Sequence, residues 1–108
     1  MIARTWRGAT LAERADEYVR YLAETGVREY TETPGNRGVL VLRERDGDRE
    51  RFELISLWSD MDAVRAFAGE DPERGVFYPR DDEFLVERDE RVTHREVTDV
   101  RGFGGDAV

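Results

Sequence analysis

Between Phe52 and Gly69 an apolar strand passes directly into a helix, with no loop to separate them. Both alternating faces of the strand up to Trp58 carry apolar side chains, which is typical of a strand covered on both sides. Ser59 is placed to cap the helix, because its hydroxyl can accept from the free amides of the first turn. One helix covers only one face of a sheet. In a chain of 108 residues little sequence is left for a second layer, so the pattern predicts a homodimer.

The composition narrows the classes of partner and site. A formal charge of -8 argues against nucleic acids and anionic membranes, which attract basic surfaces. All 17 basic residues are arginine, and the absence of cysteine excludes disulfides, thiol nucleophiles and cysteine metal sites. No apolar run approaches the roughly 20 residues of a membrane span, and the first residues lack a signal-peptide pattern. We expect a cytoplasmic protein with no metal site.

The N-terminal third predicts a strand followed by a helix. Residues Met1–Arg7 alternate as a strand that Gly8 ends. Thr10 and Glu13 have the spacing of a capping box, and apolar residues repeat at helical spacing from there until Gly26 ends the helix. The segment Val27–Thr33 is predicted to be a polar connection.

The rest of the chain predicts a hairpin, a second helix and a last strand. Asp46-Gly47-Asp48 separates the strand Gly38–Arg45 from the next strand, and this turn composition favours antiparallel pairing. Asp71-Pro72-Glu73 has the pattern of a short helix start. The local structure of Arg80–Glu90 is left open, and Arg91–Val97 alternates as the final strand.

The element order is strand, helix, strand, strand, helix, strand, which predicts an α+β ferredoxin-like βαββαβ sandwich. The domain is expected to span residues 1–98, with residues 99–108 as a flexible or partner-dependent tail. If the helices cover one face of the sheet, two such sheets packed back to back form a dimeric α/β barrel.

Several of these segments together resemble the antibiotic biosynthesis monooxygenase superfamily of dimeric α/β barrels. The resemblance is carried by Pro34-Gly35-Asn36-Arg37-Gly38 before a strand, the short acidic hairpin, and Trp58-Ser59 opening a helix that contains Ala66-Phe67. It implies a pocket between the helices and the sheet, and for some members oxidation of polycyclic phenols without metal or flavin. We therefore expect no cofactor.

The same resemblance bears on single residues. Trp58 matches the family's tryptophan at the junction of strand and helix, whereas the position of Asn36 does not secure a match to the family's catalytic asparagine. Haem-degrading members place a ligand histidine after the second helix, and this chain has none between Glu70 and Arg91. Its only histidine, His94, lies on the last strand, which argues against haem.

His94 is the natural candidate for a catalytic base, because its side chain titrates near neutral pH. The alternative is a structural hydrogen bond or a contact between the two copies of a dimer. The acidic residues between Asp81 and Glu90 match no calcium-binding loop and are interpreted as a solvated charged face.

Four aromatic residues and one arginine are candidates for substrate binding. Trp58, Trp6, Tyr18 and Tyr78 can form apolar walls with polar edges, although core packing also accounts for the tryptophans. Arg4 is an unusual charge on a central strand. We expect it to pair with Glu96 across the sheet, with binding of a substrate anion as the alternative.

These features leave three functions open. The first is a small-molecule-binding protein resembling a cofactor-independent monooxygenase for small aromatic or phenolic substrates. The second is a binding or interaction module of the same fold without turnover. The third is an oxygen-independent isomerase or decarboxylase. A closed cavity surrounded by His94, Trp58 and a tyrosine would favour an enzyme, whereas a space packed solid would favour the module.

Overall fold

The computed structural model describes residues 1–102, and the last six residues of the predicted tail lie outside this part of the chain. One antiparallel sheet carries the helices on one of its faces. Its strands are β1 (Ile2–Leu11), β2 (Asn36–Asp46), β3 (Arg49–Trp58), β4 (Leu85–Arg88) and β5 (Thr93–Glu96). The helices are α1 (Ala15–Glu24), α2 (Gly26–Glu32), α3 (Met61–Ala68) and α4 (Asp81–Phe84), and a 3-10 turn spans Ala12–Arg14.

The sheet has the strand order β2-β3-β1-β4, with β5 also paired to β1. Strand β4 pairs with β1 from Gly8 to Thr10, and β5 pairs with it from Ile2 to Thr5, so the two short strands share one edge of β1. Strands β1 and β3 are therefore central, as a ferredoxin-like fold requires, and the predicted fold class is confirmed. The sheet of a single chain is open.

The two faces of the sheet have different surroundings. On the helix face, Phe52, Leu54 and Trp58 of β3 and Trp6 of β1 belong to one buried cluster with side chains of the helices. On the other face, three apolar side chains are only partly buried and lie outside that cluster: Leu40, Ile55 and Leu57. The apolar character of both faces, read from the sequence, therefore corresponds to one covered and one uncovered face.

The predicted hairpin is confirmed. Asp46 lies opposite Arg49 at the end of the ladder, and Gly47 has a φ of 62°, a backbone conformation that favours glycine. The predicted end of the first strand at Gly8 is wrong, because β1 continues to Leu11 and Gly8 pairs with Phe52 and with Arg88. A β-carbon at Gly8 would lie 2.4 Å from Trp6 Cη2, so glycine is needed for packing inside the strand.

Both predicted helix caps are wrong. Thr10 stays in β1 with its side chain buried, and its Oγ1 donates to the carbonyl of Leu11, so it caps no helix. At the second helix the cap is Asp60, whose Oδ1 accepts from the Ala63 amide at 2.9 Å. Ser59 instead donates its amide to the Gly35 carbonyl at 2.8 Å, which ties the turn before β2 to the start of α3.

Two connections also differ from prediction. The segment expected to be a polar connection forms α2, because Gly26 and Tyr30, four residues apart, are both buried on one helix face. The expected helix start at Asp71 is a turn, since the Asp71 carboxylate pairs with Arg91 and only one turn hydrogen bond follows, from Arg74 to Asp71. No helix within residues 1–102 is long and apolar enough to cross a membrane.

The segment left open, residues 80–90, contains α4 and β4. Its acidic side chains are mostly exposed and paired with arginines, as Glu83 is with Arg80 and Asp82 is with Arg88. Asp81 is the exception to the predicted solvated face, because it is buried.

Candidate functional site

A small cavity lies between the sheet and helices α1 and α2. Its volume is about 20 Å³, room for about one water molecule. The sheet contributes Arg4 and Trp6, the helices contribute Tyr18 and Tyr30, and the irregular segment before α4 contributes Phe77 and Tyr78. Its position between the sheet and the helices, with charged and phenolic side chains in its lining, makes this cavity the candidate site.

A larger groove of about 560 Å³ borders the sheet elsewhere and includes Arg7, Arg51, Glu53 and Glu87. Its charges already satisfy one another, since Arg7 pairs with Glu53 at 2.7 Å and Arg51 pairs with Glu87 at 3.2 Å. Exposed side chains that are already paired in this way need no ligand to neutralise their charges. The groove is therefore the weaker candidate despite its size.

Four of the six predicted site residues line the small cavity: Arg4, Trp6, Tyr18 and Tyr78. Trp58 does not. It is fully buried, its Nε1 donates to Ser56 Oγ at 2.9 Å, and its ring stacks on Phe67 with centroids 5.5 Å apart. His94 lies beside Arg4, outside the lining of the cavity.

Sequence reasoning missed Tyr30 and Asp81 as site residues. Tyr30 packs against Phe67 with ring centroids 4.7 Å apart and reaches the cavity because α2 is helical. Asp81 lies at the start of α4, and its Oδ2 accepts from the Tyr78 amide at 2.7 Å. The spacing of Gly26 and Tyr30 was a usable signal for the first, whereas nothing in the acidic run distinguishes Asp81 from its neighbours.

Arg4 is held by backbone groups and not by the predicted partner. Its Nη1 donates to the Pro72 carbonyl and its Nη2 donates to the Arg74 carbonyl at 3.0 Å. Strand register places His94 opposite Arg4 and Glu96 opposite Ile2, so the expected pair between Arg4 and Glu96 is wrong. The guanidinium is 2% exposed, and burial lowers its pKa.

The cavity phenols are kept protonated. Burial is the main cause that raises the pKa of Tyr18 and of Tyr30, although the Arg4 guanidinium partly opposes the effect at Tyr30. Burial also raises the pKa of Tyr78, whose hydroxyl donates to Glu29 Oε2 at 2.6 Å. All three side chains are therefore phenols and not phenolates, and the Tyr78 hydroxyl is occupied by Glu29.

Asp81 is the acidic group of the cavity. Burial raises the pKa of its carboxyl group, while the amide of Tyr78 acts in the opposite direction. Within residues 1–102 only Oδ2 has a hydrogen-bond partner, so Oδ1 is free to exchange a proton with a ligand. A buried carboxyl group of raised pKa at the wall of a cavity has the chemistry of a general acid or base.

No family model and no curated protein matches this sequence. Solved structures do match. SnoaB, a cofactor-independent oxygenase from Streptomyces nogalater, is 19% identical with a TM-score of 0.63, over 93% of this chain and 96% of that one. MhuD, a haem degrader from Mycobacterium tuberculosis solved with two haems in its active site, is 19% identical with a TM-score of 0.61, over 93% and 99%.

A Bacillus cereus protein described as an antibiotic biosynthesis monooxygenase is 12% identical with a TM-score of 0.62, over 92% of this chain and 96% of that one. This chain has the fold of the antibiotic biosynthesis monooxygenases. Within the monooxygenase fold, the position of Trp58 at the end of β3 serves packing in this chain. Asn36 has a local role as well, because its Oδ1 accepts from the Gly38 amide at 3.0 Å beside a bulge in β2.

The residues at this cavity do not fit haem. His94 is the chain's only histidine, and its Nε2 lies 3.1 Å from Arg4 Nη1, outside the cavity lining. In the described part of the chain, no three acidic or histidine side chains come together as a metal site.

Proposed function

We propose that this protein binds a small aromatic molecule with an acidic C–H or O–H group in the cavity and oxidises it with molecular oxygen, without metal or flavin. The observation that carries the proposal is the Asp81 carboxyl group, which lines a cavity of mainly aromatic and aliphatic side chains and has one oxygen without a hydrogen-bond partner within residues 1–102. An acid–base group within apolar walls is what such a substrate needs, because deprotonation makes the substrate itself the reductant of oxygen.

The chemistry balances without a further reactant. Asp81 takes a proton from a CH₂ group of the substrate, and the resulting carbanion combines with O₂ to form a peroxide anion. Asp81 returns the proton, and the hydroperoxide loses water to leave a carbonyl group. One oxygen atom enters the product and the other enters water. The remaining wall residues, among them Trp6 and Phe77, orient the ring and exclude solvent.

Substrate entry requires a movement of the segment from Val76 to Tyr78. The cavity is too small for an aromatic ring as it stands, and residues 69–80 contain neither helix nor strand. The side chains of Phe77 and Tyr78 close the cavity, so their displacement enlarges it. Irregular segments of this kind have fewer ladder hydrogen bonds to break than a strand or helix.

The functional unit in this proposal is a homodimer. Ile55 and Leu57 lie with Leu40 on the sheet face that the helices leave uncovered, and Leu42 on the same face is 45% exposed. Packing this face against a second copy removes the apolar surface from water and completes the second layer.

Oxygen uptake with a panel of polycyclic phenols and their keto tautomers, in buffer containing a chelator, tests the proposed reaction. We expect turnover by the unmodified chain and a loss of about 100-fold or more in Asp81→Asn. Asn retains an acceptor for the Tyr78 amide, so the fold is preserved. Asp48→Asn, in the exposed hairpin turn, is the matched control. Equal rates in the two variants would contradict the assignment of Asp81.

The small cavity volume favours a second candidate function, ligand binding without turnover. Neither His94 nor Trp58 lines the cavity, so the arrangement expected of an enzyme from the sequence is only partly present. Binding of aromatic ligands without oxygen uptake distinguishes this function. Product formed under anaerobic conditions would instead indicate the isomerase or decarboxylase.

A further inference from the structure

We propose that Arg4 is a binding site for one anionic oxygen of the ligand, so that the ligands of this cavity are phenolates, enolates or carboxylates. The inference rests on the proposed function in one respect, namely that the cavity opens to admit a small aromatic molecule. It goes further by naming the charge of the ligand and the side chain that recognises it.

Arg4 is a buried cation without a buried anion beside it. It is 2% exposed on the central strand, and it is the only fully buried arginine of the described residues. Two backbone carbonyls and the imidazole of His94 accept from its Nη atoms, and none of these groups carries a negative charge. The Tyr30 hydroxyl is also a hydrogen-bonding neighbour of Arg4, and burial keeps that phenol protonated. Arg4 Nε has no hydrogen-bond partner within residues 1–102. A buried charge of this kind is costly unless an opposite charge approaches it.

Several surface arginines differ from Arg4 because each of them pairs with a carboxylate. Arg7 lies three residues along the same strand on the opposite face and pairs with Glu53 at 2.7 Å. Arg43 and Arg45 share Glu50 at 2.8 and 3.0 Å. The chain contains 25 acidic residues, yet no salt bridge within residues 1–102 includes Arg4. Arg20, Arg37, Arg74 and Arg95 also form no salt bridge within residues 1–102, but all four are exposed to water. Of the described arginines, only Arg4 is both buried and without a carboxylate partner.

The cavity walls place no anion in contact with Arg4. The one carboxyl group in the lining, Asp81, accepts from the Tyr78 amide and has no hydrogen bond with Arg4 within residues 1–102. Burial raises the pKa of Tyr18 and of Tyr30, which keeps both phenols neutral. The face of the Phe67 ring lies 5.7 Å from the guanidinium carbon and stabilises the cation only weakly. A ligand oxyanion that accepts from the guanidinium forms a charge-assisted hydrogen bond in a dry site, where such bonds are strongest.

Asp81 and Arg4 together allow the charge to move without a change in the net charge of the cavity. When the ligand gives its proton to Asp81, the ligand O–H or C–H bond breaks and an O–H bond forms on the carboxyl group. The negative charge leaves Asp81 and appears on the ligand oxygen, where Arg4 stabilises it. Both side chains line the same cavity, as this transfer requires.

Binding of two matched ligand pairs to the unmodified chain tests the inference. Calorimetry compares benzoate with benzamide, which has nearly the same shape and no charge. We expect benzoate to bind about tenfold more tightly or better. The absorbance of 4-nitrophenol reports whether it binds as the phenolate, and nitrobenzene is its neutral counterpart. Preference for benzoate alone identifies a carboxylate site, and phenolate formation identifies a site for phenols or enols.

Arg4→Gln, which still donates hydrogen bonds, should remove the preference for the anion and leave binding of the neutral ligand. Arg7→Gln on the opposite face is the control and should change neither. Equal affinity of the charged and neutral ligands for the unmodified chain would overturn the inference and leave the proposed function standing. If none of the four ligands binds, both fail. The comparison within the unmodified chain decides the question even if Arg4→Gln does not fold.

Discussion

His94 Nε2 accepts a hydrogen bond from Arg4 Nη1 at 3.1 Å, and this contact determines what the histidine can do. Because a guanidinium only donates, Nε2 must be unprotonated and the ring proton must reside on Nδ1. His94 is then a positioning residue for Arg4, and its Nε2 lone pair is not free to act as the base that the sequence led us to expect.

The first prediction concerns pH. Burial, and then the Arg4 cation, lowers the pKa of His94 below its usual 6.5, with Glu73 acting in the opposite direction. The unfolded chain therefore binds a proton as pH falls below 6.5 while the folded chain does not, so this group lowers the free energy of unfolding on the acidic side. Denaturant unfolding measures the free energy of unfolding at about pH 8 and at about pH 5.5. This free energy should fall less between the two pH values in His94→Gln than in the unmodified chain. An equal loss of unfolding free energy in the two proteins would contradict the hydrogen bond between Arg4 and His94.

The second prediction concerns the stability of Asp81→Asn. The pKa of Asp81 is raised from 3.8, so the folded state holds its proton more tightly than the unfolded state, and stability falls as pH rises through the folded pKa. Removing the charge should raise the free energy of unfolding near neutral pH, and the gain should diminish as the pH falls toward 3.8. Asp48→Asn should show no such gain. A group that is costly in the folded state and needed for turnover is typical of a functional site.

The third prediction concerns the closure of the cavity. The hydroxyl of Tyr78 donates to Glu29 Oε2 at 2.6 Å and fastens the segment over the cavity to α2. Tyr78→Phe should lower the free energy of unfolding by about 0.5–1.5 kcal/mol. It should also speed hydrogen exchange of the amides at residues 76–78. Glu29→Gln should act in the same direction, and Glu32→Gln, which removes the partner of Arg28 on the same helix, should not. Additive losses in the double variant would argue against a direct bond.

The fourth prediction concerns the turn before β2. Gly35 has a φ of 92°, and a β-carbon there would lie 2.5 Å from the Ala63 β-carbon. Gly35→Ala should lower the free energy of unfolding by about 2 kcal/mol or more, because strain and overlap add. Gly47 has a φ of 62° with open space around it, so Gly47→Ala should cost only about 1 kcal/mol. Thermal unfolding of both variants measures the difference.

The fifth prediction concerns association. Ile55→Asp places a charge on the uncovered sheet face and should convert the homodimer into a monomer, because the partner sheet would bury that charge without a counter-ion. Light scattering at micromolar concentration measures the mass, with Ala23→Asp on exposed α1 as the control. A monomeric unmodified chain would contradict the proposed dimer.

Local patterns predicted most of the fold and part of the site. Strand alternation, the turn at Asp46-Gly47-Asp48 and the order of elements depend on neighbours in sequence, and these predictions are confirmed. The cap predicted at Ser59 failed because the neighbouring Asp60 carboxylate takes the free amide of Ala63. The cap predicted at Thr10 failed because β1 continues through Leu11. Helix α2 was missed, because the packing of Tyr30 on Trp58 and Phe67 stabilises it more than its own polar sequence does.

The strand that passes into a helix after Trp58 could be predicted from the sequence alone, because periodicity and turn chemistry act over a few residues. This segment indicated the class of fold. The tertiary structure decided that Trp58 is core, that Asp81 is buried among exposed acids, and that Arg4 meets the carbonyls of Pro72 and Arg74 instead of Glu96. These outcomes depend on groups about 70 residues apart that only strand register and loop packing bring together. The charge of Arg4 could be read from the sequence, whereas the absence of a carboxylate partner could not.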